Sequence, residues 1–196
     1  MTVMIAYPHA NTVSHNFFLS INRVMLCNGG LIGDVRGQRC YPGEDLAAGR
    51  NKLVESFLKS GYDHIWFIDT DIGFPSGALP TMLEHDAPVV SGFYNTVGEN
   101  VPDGMGGSKW STIPIVRDRD SKEYDRYEGV ISNVGYVGAG CLLVSRSAME
   151  KVGKRWFSVI QGWGEDYSFC RRLHRAHIPI TVDCTFPLSH HKSVWI

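Results

Sequence analysis

Residues 64–68 are almost wholly apolar, and this run ends directly at Asp69. A short run that is apolar on both faces is typical of a central strand covered by helices on both sides of a sheet. Apolar residues at helical spacing precede it over residues 46–58 and follow it over residues 78–84, and residues 88–94 resemble another strand. This alternation predicts an α/β fold with a mainly parallel central sheet.

The other segments continue the alternating order. Strands are also predicted over residues 3–7, 31–35, 141–145 and 178–183, and helices over residues 14–28, 45–60 (with Asp45 as N-cap) and 165–177. Two stretches differ from this pattern: residues 95–110, which are rich in glycine and predicted as a loop, and residues 117–128, which are highly charged and predicted as a solvent-exposed loop or hairpin. We interpret them as an inserted region within one domain that spans residues 1–196.

The composition limits the function classes. Hydrophobic residues make up 43% of the 196 residues, which is enough for a packed core, and a net charge of −1 disfavours a dedicated DNA-binding protein. The five cysteines include no CxxC pair, which predicts reduced thiols and a cytoplasmic protein. No apolar run approaches the ~20 residues that span a bilayer, and residues 1–5 lack the basic start of a signal peptide.

The first candidate site is Asp69-Thr70-Asp71, at the end of the predicted central strand. Ligands of open α/β sheets bind beyond the carboxyl ends of the strands. If the chain stays extended here, side chains two residues apart point to the same side. Paired carboxylates suit a divalent cation that keeps open positions for diphosphate oxygens. The alternative is that both aspartates are turn residues before the next helix.

Two further motifs follow towards the C-terminal end. Gly162-Trp163-Gly164-Glu165-Asp166 opens a helix and combines an aromatic face with two acids, one of which can act as a general base. The alternative is that the acids only stabilise the helix N-terminus. The adjacent His190 and His191 indicate a metal ligand after the last strand.

In their chain order, these motifs resemble glycosyltransferases of the GT-A fold over most of the sequence. The Asp-x-Asp follows a helix that contains Gly49-Arg50-Asn51, and Gly138-Ala139-Gly140 precedes a later strand. Trp163-Gly164-Glu165-Asp166 looks like the motif of β-1,4-galactosyltransferases, whereas the compact length is similar to that of small family-2-type transferases of bacteria and phages. The resemblance implies a single GT-A domain and transfer of a sugar from a nucleoside diphosphate to a hydroxyl, with inversion.

The resemblance also implies roles for individual residues. The donor would contact Tyr7, Pro8, Arg50, Asp69 and Asp71, and the acceptor would contact Trp163, Gly164 and Glu165. A Mn²⁺ or Mg²⁺ ion would be bound by Asp71 and His190, with Asp69 near its water shell and His191 as the alternative histidine. Asp166, beside Glu165, would take the proton of the acceptor hydroxyl. Residues 95–110 would close over the donor.

Two other functions remain open from the sequence. A nucleotidyltransferase uses a similar sheet and metal but normally has a glycine-rich basic loop after the first strand, where this chain has residues 8–12, Pro-His-Ala-Asn-Thr. A non-catalytic sugar- or nucleic-acid-binding module could use the basic residues of the predicted helix 165–177, which otherwise form a solvated face. The acceptor is equally open: a glycan, a protein, a modified DNA base or a small molecule.

Overall fold

The computed structural model describes residues 1–40, 46–102, 108–160 and 163–191. The strands are β1 (Val3–His9), β2 (Ile32–Arg39), β3 (His64–Ile68), β4 (Ile72–Gly73), β5 (Val89–Gly92), β6 (Asn95–Pro102), β7 (Ser108–Pro114), β8 (Val130–Ser132), β9 (Cys141–Ser145), β10 (Thr181–Asp183) and β11 (Ser189–His190). The helices are α1 (His15–Asn28), α2 (Leu46–Lys59), α3 (Ala78–Glu84), α4 (Arg146–Val152) and α5 (Glu165–Arg175). The predicted cap Asp45 and Gly162 of the second motif lie outside the described residues.

One seven-stranded sheet carries the fold, in the order β2-β1-β3-β9-β5-β10-β8. Five strands (β2, β1, β3, β5 and β10) run in one direction, whereas β9 and β8 pair antiparallel with their neighbours. The predicted mainly parallel α/β sheet is therefore confirmed. The reversed β9 between β3 and β5 was not predicted, because an apolar run gives no strand direction.

Both faces of the sheet are covered, as the apolar run of β3 predicted. Ile65 and Phe67 point into a core shared with α2, α4 and α5, whereas Trp66 and Ile68 point into a second core shared with α1 and α3. The four side chains have no exposed surface. Alternating burial on opposite faces follows from the two-residue period of a strand. Asp69 therefore comes directly after a strand that is buried on both faces.

One local prediction was wrong. Residues 95–110 were predicted as a loop, but β6 and β7 pair as antiparallel strands, and residues 103–107 lie outside the described residues. At Asp69-Thr70-Asp71, where an extended chain and a turn were both open, the Ile72 amide donates to the Asp69 carbonyl at 3.0 Å, which closes a reverse turn. Gly73 follows in the short β4, which pairs with β11.

The helices also include α4, which the sequence patterns did not predict. Its N-cap is Ser145, whose hydroxyl accepts a hydrogen bond from the Ala148 amide at 3.3 Å. In the described parts of the chain, no helix has the length and apolar character needed to cross a membrane. The five cysteines all lie within the described residues, and none of them forms a disulfide.

Candidate active site

The turn after β3 separates the two aspartates of the first motif. Asp69 contacts Arg50 of α2, with 2.6 Å between its Oδ1 and the arginine Nη2. Asp71 instead faces His190, with 3.2 Å between its Oδ2 and the histidine Nε2. The two carboxylates therefore have different partners, because a reverse turn rotates residues two apart away from the common side that an extended chain would give them.

The short β4–β11 pairing positions His190. Ser189 and His190 lie opposite Gly73 and Ile72, and the His191 amide donates to the Asp71 carbonyl at 2.7 Å. Gly73 permits this approach, because an added Cβ would lie 2.5 Å from the Ser189 hydroxyl. It is therefore the ring of His190 that faces Asp71, whereas His191 is exposed.

A hydrogen bond to a backbone carbonyl indicates which nitrogen of the His190 ring carries a proton. Its Nδ1 lies 2.9 Å from the Asn95 carbonyl, which can only accept, so Nδ1 carries a proton. In the neutral ring, Nε2 then presents a lone pair to the Asp71 carboxylate. Two acceptors at this distance favour a cation between them, and metal-ligating histidines commonly donate their other ring N–H to a backbone carbonyl.

This pair fits a divalent ion that shares its coordination with a substrate. Among the described residues there is no group of three or more His, Cys, Asp or Glu side chains that could hold a metal. Asp71 and His190 are a pair of side chains that could contribute two ligands. Sites that bind nucleotide phosphates commonly have few protein ligands, because phosphate oxygens and waters complete the shell.

A buried arginine joins the first motif to the second. Arg50 is 1% exposed, and its guanidinium contacts Asp69 through Nη2 and Glu165 through Nη1. Burial alone would lower the pKa of Arg50, but the charges of Asp69, Glu165 and Asp166 outweigh it and raise the pKa. Arg50 thus links Asp69, at the end of β3, to Glu165 of α5, which lies 115 residues after Arg50 in the sequence.

The two acids that open α5 lie in different surroundings. Glu165 is engaged by Arg50, whereas an Asp166 carboxylate oxygen accepts from the Tyr167 amide at 2.7 Å. Burial is the main cause that raises the pKa of each acid above its ordinary value. Gly164 precedes them as the N-cap residue, and a Cβ there would lie 2.7 Å from an Asp166 carboxylate oxygen.

Asp166 lines an open pocket of about 250 Å³ beside a stack of three aromatic rings. Trp163 stacks on Tyr167, and Tyr167 stacks on Tyr136, each with ring centroids 4.0 Å apart. Trp163 is 48% exposed, so the stack ends in an accessible aromatic face. Burial and the neighbouring Tyr167 raise the pKa of Tyr136 to about 12. The Tyr136 and Tyr167 contacts were not predicted from the sequence.

Tyr94 is a second residue that the sequence motifs missed. Its hydroxyl accepts from the Gly140 amide at 3.0 Å, and its ring meets the His190 ring edge-on with centroids 5.3 Å apart. Burial, followed by the charge of Asp69, raises the pKa of Tyr94 well above its ordinary value. Added Cβ atoms at Gly138 or Gly140 would collide with the Tyr94 hydroxyl. The Gly138-Ala139-Gly140 motif was the available signal for this contact.

The remaining predicted donor residues, Tyr7 and Pro8, lie near the carboxyl end of β1. Tyr7 is half-buried and meets Phe17 edge-on, with ring centroids 5.2 Å apart. Because Ala6 pairs with Phe67 in the parallel register of β1 and β3, Tyr7 and Asp69 both lie at the carboxyl end of the sheet. This is the end where ligands of open α/β sheets bind.

The sheet order and the site at its carboxyl edge define a GT-A-like α/β fold. No protein-family model matches the sequence, and no curated protein sequence matches it. Among solved structures, the chain is similar to A197 from STIV, with a TM-score of 0.66 and 18% identity over 98% of this chain and 87% of that chain.

A second similar structure is GalNAc-T7, a GT-A glycosyltransferase crystallised with UDP, GalNAc and Mn²⁺. The TM-score is 0.60 and the identity 9%, over 97% of this chain. The match spans 44% of the GalNAc-T7 chain. At these identities the likeness shows a shared fold, and it confirms the predicted GT-A-like class.

Proposed function

We propose that residues 1–196 act as one glycosyltransferase domain that moves a hexose or pentose from a nucleoside-diphosphate sugar to an acceptor hydroxyl. The observation that carries this proposal is the pairing of Asp71 with His190 at the carboxyl edge of the sheet. A carboxylate and an imidazole with its other nitrogen bonded to a carbonyl form a pair of cation ligands. The fold shared with a transferase whose structure contains UDP and Mn²⁺ gives independent support.

The donor side comprises the ends of β1 and β3. Asp71 and His190 would hold Mn²⁺ or Mg²⁺, which when bound offsets the negative charge that develops on the leaving diphosphate. Asp69 would face the donor ribose, and Tyr7 and Pro8 would lie beside the nucleotide base. These residues all lie at the carboxyl end of the sheet, so one extended nucleotide could contact them together.

Arg50 takes a different role from the donor contact that the resemblance implies. Its guanidinium is buried between Asp69 and Glu165, so we assign it as a positioning residue. By pairing with both carboxylates, it would hold the donor-side Asp69 and the acceptor-side helix α5 in a fixed relation. Preorganised supports of this kind keep reacting groups within the narrow geometry that transfer needs.

The acceptor side comprises the pocket that Asp166 lines with the aromatic stack. Trp163 and Gly164 would contact the acceptor, and Glu165 would support them through Arg50. The acceptor oxygen bonds to the anomeric carbon while its proton passes to the Asp166 carboxylate. The bond from that carbon to the diphosphate breaks, and the nucleoside diphosphate leaves with the electron pair. Attack on the opposite face inverts the anomeric centre.

The environment of Asp166 supports its assignment as the base. Burial raises its pKa, and a carboxylate with a raised pKa accepts a proton more readily than an ordinary aspartate. The exposed face of Trp163 beside it offers the flat apolar surface that sugar rings commonly stack on. None of the five cysteines, all within the described residues, forms a disulfide, which agrees with the proposed site of action in the reducing cytoplasm of a bacterial or phage-infected cell.

Thermal-shift screening against a panel of nucleotide sugars, with Mn²⁺ and with EDTA, tests the proposal. Ligands that bind only the folded state raise the melting temperature. We expect stabilisation by at least one nucleotide sugar in Mn²⁺ and its loss in EDTA. Stabilisation by nucleoside triphosphates but by no nucleotide sugar would favour a nucleotidyltransferase, and stabilisation by free sugars or oligonucleotides alone would favour a binding module.

A further inference from the structure

We propose that the protein has a second ligand site, which binds a phosphate monoester with an apolar organic part. The site is a pocket of about 520 Å³ between α2 and the segment that follows α4. Its walls come from four side chains of α2 and from residues 154–156. None of these residues belongs to the proposed donor or acceptor site. The volume is in the range of small-molecule pockets.

Hydrogen bonds fix the walls of this pocket. The Asn51 side chain donates to the Phe157 carbonyl at 2.8 Å and accepts from the Phe157 amide at 3.0 Å, which ties the segment to α2. The Trp156 indole nitrogen donates to the Met149 carbonyl at 2.9 Å, and its side chain is buried. The pocket is therefore formed before a ligand arrives, so binding need not order these walls.

Three cations surround the pocket. Lys59, Lys154 and Arg155 are exposed, and within the described parts of the chain none of their side chains has a hydrogen bond or an ion pair. Glu55 is the one acid among the described residues that line the pocket. In a chain whose net charge is −1, this is a local positive excess, which attracts an anion to the pocket.

The backbone of Arg155 adds a second indication. Its φ of 65° lies in the left-handed region, which non-glycine residues rarely adopt. Such conformations persist where the surroundings enforce them, and they concentrate at ligand sites. Here the conformation belongs to the residue that offers a guanidinium to the pocket, and a guanidinium can bind two phosphate oxygens at once.

The residues that line the pocket also indicate what the ligand carries besides its phosphate group. Leu58 and the buried Trp156 supply apolar surface within the pocket, so a ligand with an apolar part gains more than a free ion does. Glu55 opposes a second anionic group on its side of the pocket. Together these features favour a phosphate monoester over inorganic phosphate and over a polyanion.

Calorimetry in EDTA with phenyl phosphate and inorganic phosphate as probes tests the site. We expect phenyl phosphate to bind and inorganic phosphate to bind roughly tenfold or more weakly, because it lacks the apolar contact. The Lys154→Gln/Arg155→Gln double variant should weaken phenyl phosphate binding by about tenfold, whereas Glu55→Gln should strengthen it severalfold. Lys151→Gln, on exposed α4 surface outside the pocket, is the matched control and should change nothing.

A vesicle arm identifies the source of the phosphate ester. Binding to phosphatidylcholine vesicles is compared with and without phosphatidic acid. If the natural ligand is a lipid, the protein should bind only the vesicles that contain phosphatidic acid, and this binding should depend on Lys154 and Arg155. Binding of phenyl phosphate without binding to either vesicle indicates a soluble ester. The proposal is overturned if neither probe binds, or if the double variant and Lys151→Gln behave alike. Neither arm contains a nucleotide sugar, so failure here leaves the proposed transferase function untouched.

Discussion

Asp71 and His190 lie 119 residues apart in the chain, yet the Asp71 Oδ2 and the His190 Nε2 are 3.2 Å apart. The β4–β11 pairing brings their backbones together, and the Asn95 carbonyl occupies the other nitrogen of the ring. When the ring is neutral, this leaves two acceptors face to face unless a metal ion lies between them. The metal-bridged account of donor binding rests on this relationship.

The first prediction concerns the metal pair. Asp71→Asn should weaken Mn²⁺ and nucleotide-sugar binding together, because it removes a charged ligand, and His190→Ala should do the same more mildly. Calorimetry with and without Mn²⁺ measures both affinities. Asp125→Asn, a change of the same kind at an exposed position, should leave them unchanged. Equal nucleotide-sugar affinity in Mn²⁺ and in EDTA for the unmodified protein would contradict the account.

The second prediction separates catalysis from donor binding. Asp166→Asn keeps the shape of the side chain but cannot accept a proton, so transfer should fall by roughly 10²-fold or more, the usual scale for loss of a general base. Nucleotide-sugar affinity, measured by calorimetry, should survive. Loss of donor binding in Asp166→Asn combined with its retention in Asp71→Asn would mean that the two roles are misassigned.

The third prediction is a pH dependence. Burial raises the pKa of Asp166, and the carboxylate must be deprotonated to act as a base. Activity should therefore fall as the pH drops through this raised pKa, so the acidic limb of kcat/KM lies above about pH 4, the ordinary value for an aspartate. The residual activity of Asp166→Asn should lack this limb. If the variant shows the same acidic limb of kcat/KM, the group that titrates is not Asp166.

The fourth prediction concerns Arg50. Arg50→Met leaves Asp69 and Glu165 facing each other in a largely buried place. Loss of one partner of a buried ion pair commonly costs about 3 kcal/mol of unfolding free energy. Arg50→Lys should recover part of this loss, because a single ammonium keeps the charge but not both contacts. Urea denaturation measures the difference, with the exposed Arg126→Met as control. If the two methionine variants are equally stable, the bridge contributes nothing.

The fifth prediction concerns the contact between Tyr94 and Gly140. Gly140→Ala forces a methyl group against the Tyr94 hydroxyl and to within 3.1 Å of an Asp69 carboxylate oxygen. We expect lower stability and lower donor affinity, because the methyl disturbs both side chains. Tyr94→Phe should cost about 1–3 kcal/mol, since it leaves the buried Gly140 amide without its acceptor. Gly61→Ala, where an added Cβ meets nothing within 4 Å, is the control. Equal melting temperatures for both alanine variants would refute the contact.

Local patterns predicted much of the fold. The apolar run of β3 required helices on both faces, and the structure supplies them. Helical spacing predicted α1, and the structure adds its N-cap, Ser14, whose hydroxyl accepts from the Phe17 amide at 3.1 Å. These features depend on neighbours in sequence. The direction of β9 and the β4–β11 pairing depend on contacts between distant segments, which no local pattern encodes.

In the candidate site, too, the sequence indicated the residue types but not their contacts. The acids, the arginine and the histidine occur in motifs whose order along the chain could be recognised, so Asp71, Asp166 and His190 could be selected as candidates from the sequence. Their partners could not be predicted, because a reverse turn at Asp69 and the burial of Arg50 decide which carboxylate meets Arg50 and which meets His190. Tyr94 was missed for the same reason: its hydroxyl meets the Gly140 amide 46 residues away.

Release of nucleoside diphosphate from a nucleotide sugar tests the central claim most directly. The unmodified protein should release it in Mn²⁺, and EDTA should abolish the release. Asp71→Asn should lose release together with donor binding, and Asp166→Asn should lose acceptor-dependent release while it still binds the donor. Release that is metal-dependent but unchanged in both variants would contradict the assigned site. The absence of release from every nucleotide sugar, under conditions where the protein binds one, would contradict the transferase function itself.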